Sequence, residues 1–309
     1  MHFLGALFKS LARCIALATG IACLVFFVLH LVPGDPVELM LGETSEPRQY
    51  ELLRAKLGLD RPMSVRFHGF LKNLVHGDLG TSIASQNPVA RLILEALPYS
   101  LLLAVSVVLL GSCMGIPLGV LAAHSRKKSF QLFSWVSIVF VAIPSFWLAP
   151  LLVLLFSFRW PWLPVSSFDH WSGLVLPTLT LGLSLAGYLF QTTRVAVNEC
   201  LSSDYIRTAY AKGLKPSRVL FRHALPNAIV PVFTVTMLQF GHLLAGTVVI
   251  ETLFNWPGMG KLLHDAVLQR DYPVVQGTVL ITAMIYVAIN SVTDFLNRFL
   301  GHNYEQVQL

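Results

Sequence analysis

The chain has 309 residues, 55% of them hydrophobic and only 12% charged, with a net charge of +6. Soluble domains carry about 25% charged residues, and here the apolar residues run in unbroken blocks rather than at amphipathic spacing, which excludes a water-soluble core in favour of a bilayer. The basic residues lie mostly at the edges of those blocks, not on one soluble face, which argues against nucleic acid as a partner.

Six blocks reach the roughly 18 to 20 residues that cross about 30 Å of hydrocarbon. They are 15–32, 100–123, 132–157, 174–191, 228–250 and 274–296, and none holds a mid-span Asp, Glu, Lys or Arg. The first follows Lys9 and Arg13 and is longer than a secretory signal core, so an uncleaved anchor is expected. Six spans put both termini on one side. With the N-terminus inside, the cytoplasmic segments hold twelve basic and four acidic residues, a net of +8, and the other side nets −2. Lys and Arg concentrate in cytoplasmic loops, so the orientation is N-in/C-in.

Residues 33–95 form a polar insertion with helical punctuation. Pro47 opens a helix that Gly58 stops, Pro62 opens a second that Gly77 closes, and Asn87-Pro88 starts a third. These helices are too short and too poor in apolar residues for a core of their own, so they are expected to pack on the outer ends of the spans. In the second span Gly111, Gly115 and Gly119 recur every four residues, a stripe that lets another helix approach closely. Cys14, Cys23, Cys113 and Cys200 form no CxxC pair and read as small packing residues.

Residues 197–227, the largest cytoplasmic segment, read as two short helices. Ser203 is placed to cap a helix from Asp204, whose charge suits the positive end. Ala209 continues it and Gly213 stops it; Pro216 restarts a helix that runs to Leu225, and Pro226 is expected to break it before the membrane. Lys212, Lys215, Arg218 and Arg222 satisfy the positive-inside rule, but that rule does not account for the helix, glycine, helix pattern. In the fifth span Val235, Gln239, His242 and Gly246 share one face, so Gln239 and His242 either line a passage or hydrogen-bond between helices.

The outer segment 251–273 contains Gly258-Met259-Gly260-Lys261, which lacks the first Gly and the Ser or Thr of a phosphate-binding loop and the third Gly of a dinucleotide site. His264, Asp265 and Asp271 are too dispersed to read as more than solvated polar groups. No nucleophile elbow, HExxH or intramembrane acid pair is present. No catalytic residue, metal or cofactor is expected.

Arg207-Thr208-Ala209, three residues, Gly213, nine residues, then His223-Ala224-Leu225-Pro226 resembles the EAA loop of ABC importer permeases. Ala209, Gly213, Leu225 and Pro226 match the general pattern, and Arg-Thr-Ala with His-Ala-Leu resembles the variant of dipeptide, oligopeptide and nickel permeases. Pro33-Gly34-Asp35-Pro36, Gly58-Leu59-Asp60-Arg61-Pro62, Gly77-Asp78-Leu79-Gly80, Ile143-Pro144-Ser145-Phe146-Trp147, Phe254-Asn255-Trp256-Pro257-Gly258-Met259-Gly260 and Arg270-Asp271-Tyr272-Pro273 extend the likeness over nearly the whole chain, in the order of the B-type subunit.

The resemblance implies an all-α, type I permease in a bacterial cytoplasmic membrane: residues 1–32 as N-terminus and first span, 33–95 as an extracytoplasmic helical insertion, and 96–309 as the core. It implies a half-channel paired with a C-type permease, seated on two separate ATPase subunits and fed by an extracytoplasmic binding protein. Asp204, Arg207, Ala209, Gly213, Lys215, Leu225 and Pro226 would form the ATPase-coupling loop. Peptides are the default solute, with nickel or a metal chelate second. The rival reading, an ion- or proton-coupled secondary transporter, requires a charged residue at mid-membrane and an inverted repeat, neither of which is apparent.

Overall fold

A computed structural model describes residues 19–27, 37, 47–56, 60–124, 128–166 and 171–305. Among these the regular structure is helical, apart from one β-bridge between Thr81 and Pro88. In chain order the helices are α1 (19–27), α2 (Pro47–Lys56), α3 (Met63–Val75), α4 (Val89–His124), α5 (Lys128–Ala142), α6 (Ser145–Val153), α7 (Val175–Leu201), α8 (Asp204–Ala211), α9 (Pro216–Val219), α10 (Leu225–Gly246), α11 (Val248–Leu253), α12 (Met259–Leu268) and α13 (Tyr272–Glu305).

Among the described residues four stretches are long and apolar enough to cross a membrane: Val89–His124, Trp171–Leu201, Pro216–Gly246 and Tyr272–Asn297. A fifth, Leu132–Ala142 with Ser145–Arg159, qualifies only as a pair bent by 102°. Half of the expected first span lies outside the described residues, as do Cys14, Gly58 and the block from Pro33 to Pro36.

The third expected outer helix and the second span are one 36-residue helix, α4. The helix runs on through Pro98, which has no N–H for the Leu94 carbonyl, and Val89, Ile93 and Ala96 hold its start in a buried cluster with Met259, Ala266, Val274 and Val275. The bend in the third span falls at Pro144, which has no N–H to give the carbonyl of Phe140 four residues back. Ser184 Oγ on α7 donates to that carbonyl instead, at 3.0 Å. A break at membrane depth is tolerated only where a neighbour supplies such a partner.

The chain divides into two compact units. The first draws on Met1–Ser100, Ala245–Thr252 and Pro257–Val287, the second on Leu101–Leu244, Leu253–Trp256 and Ala288–Leu309. In the first, Phe26 of α1 lies 5.1 Å from the ring of Phe67 on α3, centroid to centroid, and 5.6 Å from that of Phe70. In the second, the glycine stripe of α4 meets α7 backbone to backbone. A Cβ at Gly115 would sit 2.5 Å from the carbonyl oxygen of Ala186, and one at Gly119 2.7 Å from that of Phe190. No side chain fits there, so glycine sets the approach distance.

Candidate coupling loop and passage-facing helix

The short helix α8 is divided by burial. Ile206 and Ala209 are buried in a core with Val197, Val219, Leu220, Ala224 and Ala228, while Asp204, Arg207, Thr208 and Tyr210 face out. Arg207 Nη1 and Asp204 Oδ1 lie 3.3 Å apart with both side chains largely in solvent, a pair worth about 0 to 1 kcal/mol at most. Ser203 occupies the cap position, but its hydroxyl donates back to the carbonyl of Glu199 at 3.2 Å and makes no cap bond. The expected capping is therefore corrected, because the end of α7 one turn earlier captures the hydroxyl first.

Gly213 has φ +75°. Its N–H donates to the carbonyl of Tyr210 at 2.9 Å, and the next N–H, of Leu214, donates to Ala209 at 3.3 Å. These two bonds make a Schellman stop, which requires a left-handed residue at this position, and Leu214 supplies the hydrophobic contact that accompanies it. Pro216 then starts α9, with exposed Lys215 as its cap residue.

Pro226 does not break the chain of turns. Leu220–Ala224 form a π-turn in which Leu225 N–H reaches the carbonyl of Leu220, five residues back. Residues from Pro216 to Gly246 thus run as one path, because the wider turn accommodates a proline that a regular α-turn would reject. Leu225 and Pro226 are half-buried at its entry to the apolar stretch.

Tyr205 of α8 is tied to the base of α10. Asn227 Nδ2 donates to Tyr205 Oη at 2.9 Å and to the carbonyl of His223 at 3.1 Å. Burial pushes the Tyr205 phenol above its ordinary value, against the Asn227 bond that favours the ionised form.

Further along α10, Gln239 is half-buried and His242 exposed. Among the described residues neither side chain makes a hydrogen bond. Pro231, Leu238, His242 and Ala245 form an exposed stripe, with Gln239 at its edge. On its other side, Thr234 Oγ1 donates to Asn297 Oδ1 of α13 at 2.8 Å.

Some polar groups escaped sequence reasoning. Gln191 Nε2 on α7 reaches Ser137 Oγ at 2.6 Å, and Arg194 Nη1 reaches Ser134 Oγ at 2.8 Å, both on α5. Asp271, read as solvated, is buried and precedes α13. It accepts from Ser82 Oγ at 2.5 Å and from the N–H groups of Ile83 and Ala84 at 3.1 Å. Glu251, unremarked in the sequence, is wholly buried.

Several long apolar helices, a broken span held by a neighbour's hydroxyl and a two-helix loop closed by a Schellman turn define a multi-pass helical subunit of a membrane transporter. The chain belongs to the family described as binding-protein-dependent transport system inner membrane component, matched over residues 115–306. Residues 3–104 match that family's N-terminal membrane component. It is 39% identical over 277 residues to the glutathione transport system permease protein GsiC of Escherichia coli and to that of Salmonella typhimurium, covering 89% of this chain and 90% of each relative. A solved amino acid ABC transporter with histidines superposes with a TM-score of 0.55 at 15% identity, covering 68% of this chain and 94% of that one. The fold is that of an ABC transporter permease, and the chain is the permease subunit of an ABC importer in a bacterial inner membrane. Such a permease is not itself an enzyme.

Proposed function

We propose that this chain forms half of an ATP-driven uptake path for small peptides, oriented N-in/C-in, with a second permease subunit beside it and two ATPase subunits below. The carrying observation is the division of α8: Ile206 and Ala209 anchor it inward, while Asp204, Arg207 and Tyr210 remain outward. A short helix held from one side and bare on the other suits a groove on an ATPase subunit. Arg207, Ala209, Gly213, Lys215, Leu225 and Pro226 complete this coupling loop, with Gly213 setting the angle between α8 and α9. Closure of the ATPases moves α8, and Tyr205 passes that movement to α10.

On α10, half-buried Gln239 and exposed His242 line the path. Their lack of hydrogen-bond partners among the described residues supports this over interhelical bonding, since polar groups at membrane depth face a wet cavity or another protein helix. The proposed domain bounds remain 1–32, 33–95 and 96–309, with the outer segments 33–95 and 251–273 meeting the binding protein. The glutathione relatives support a peptide solute of two or three residues. The test is uptake of labelled glutathione, a labelled dipeptide and nickel by cells with and without this chain. ATP-dependent loss of peptide or glutathione uptake, with nickel uptake intact, is the expected result; loss of nickel uptake alone overturns the solute assignment.

A further inference from the structure

The Gly258-Met259-Gly260-Lys261 motif fits no nucleotide site, yet its spacing has a cause within the first unit. Glu251, in α11 at the start of the outer segment, has no exposed surface, and both of its oxygens accept hydrogen bonds. Oε1 receives Ser100 Oγ at 2.7 Å and Thr247 Oγ1 at 2.8 Å; Oε2 receives the N–H of Gly260 at 2.7 Å and that of Lys261 at 3.1 Å. Ser100 Oγ in turn accepts the N–H of Met259 at 2.8 Å. Three successive N–H groups at the start of α12 therefore end on one carboxylate and its bridging hydroxyl.

The glycines are what let this happen. A Cβ on Gly258 would collide with the Glu251 carboxylate and stand 2.5 Å from Ser100 Oγ; one on Gly260 would stand 2.7 Å from Val248 Cα. The motif is a tight cradle for a carboxylate of its own chain.

We propose that Glu251 is a positioning residue for transport. Its carboxylate, with Ser100 and Thr247, ties 247–252 and 258–261 to the first residues of α4, up to Ser100, so that these parts of the first unit move as one at the outer mouth. This rests on the transport and topology readings above. A buried carboxylate offered four donors is matched by no isosteric neutral group. The substitution Glu251→Gln leaves one acceptor atom where the carboxylate has two: its NH2 stands either against the N–H groups of Gly260 and Lys261, or against the two hydroxyls, which must then both turn from donating to accepting. The first turn of α12 then frays and is no longer tied to Ser100 at the start of α4.

The experiment uses cells expressing the full transporter, with turnover normalised to the amount of this chain in the membrane. In Glu251→Gln, Vmax for labelled peptide falls about tenfold at unchanged KM, and trypsin added to spheroplasts cuts after Lys261 about tenfold faster, the factor one unpaired buried donor is worth. Thr247→Val, which removes one donor at constant shape, lies part way in both measures, and Thr247→Ser behaves as wild type. The proposal is overturned if Glu251→Gln keeps wild-type turnover per inserted molecule, or if turnover falls while cleavage is unchanged. A chain whose deletion leaves peptide uptake intact removes the transport reading, and the role in turnover with it. If the topology alone is wrong, wild-type and variant differ at Lys261 only in inside-out vesicles, which overturns placement at the outer mouth.

Discussion

Asn227 at the base of α10 donates its side-chain amide to the hydroxyl of Tyr205 on α8, at 2.9 Å. The bond joins the helix proposed to meet the ATPase to the helix that carries Gln239 and His242, within a single compact unit. The Asn227 amide also holds the His223 carbonyl at 3.1 Å, so removing the phenol oxygen leaves it a partner. Tyr205→Phe should therefore cost only about 0.5 to 1.5 kcal/mol of stability. The larger effect falls on coupling: more ATP is hydrolysed per peptide imported, read by measuring both fluxes in proteoliposomes. The phenol also gives a sign for pH. A folded-state value raised above the ordinary 10.0 contributes stability that is complete below about pH 10 and is lost as pH rises through the folded value. The wild type should lose stability in that alkaline window by more than Tyr205→Phe does, as followed by thermal denaturation in detergent.

Gly213 tests the geometry of the coupling loop. Its φ of +75° costs an L side chain roughly 1 to 2 kcal/mol, so Gly213→Ala should insert normally and transport at a reduced rate. Gly213→Pro cannot adopt a positive φ and also removes the N–H that reaches the Tyr210 carbonyl. It should remain in the membrane, as shown by immunoblot of membrane fractions, and import no peptide; normal import would sink the coupling assignment.

The α4 stripe makes a prediction about folding rather than transport. With the Ala186 carbonyl 2.5 Å from where a Cβ would stand, Gly115→Ala must push α4 and α7 apart, at about 1 to 3 kcal/mol for overpacking. Its membrane level should fall and its melting temperature in detergent should drop, whereas Gly69→Ala, mid-helix in α3 with nothing within 4 Å, should keep the wild-type membrane level and melt no lower, since alanine is the better helix former.

How much of this was legible in the sequence follows from the range of each interaction. Apolar blocks and glycine stops are local signals, so four long apolar helices and the turn at Gly213 could be read directly, whereas the 102° break in the third block rests on Pro144 and on Ser184 from another helix. Pro226 could not, because whether a proline ends a helix depends on whether a π-turn forms beneath it, and no residue type announces that. Glu251 was invisible for the opposite reason: its Ser100 partner is 151 residues away, and only folding brings the two together. Asp271 is alike, with Ser82 189 residues distant. Buried carboxylates met by distant hydroxyls and backbone N–H groups look, in sequence, like any surface acid.

Gln239 and His242 carry the remaining prediction. If the exposed stripe of α10 faces the passage, Gln239→Leu and His242→Leu should change transport without changing assembly. Neither side chain has a hydrogen bond among the described residues to lose, so membrane levels should stay at wild type and the ATPase subunits should still co-purify. Uptake should fall by roughly 5- to 150-fold if one polar contact with the moving peptide is removed, the scale of about 1 to 3 kcal/mol for a lost buried partner. The two replacements can be told from a packing defect by a third, His242→Gln, which keeps a polar tip of similar reach. Activity retained by Gln and lost by Leu at position 242 places that face on the path, because a helix touching only lipid favours Leu over both His and Gln. Equal uptake by all three would return the stripe to lipid or to inert packing, and would move the search for solute contacts to Gln191 and Arg194 on α7, the other polar groups held at the flank of a span.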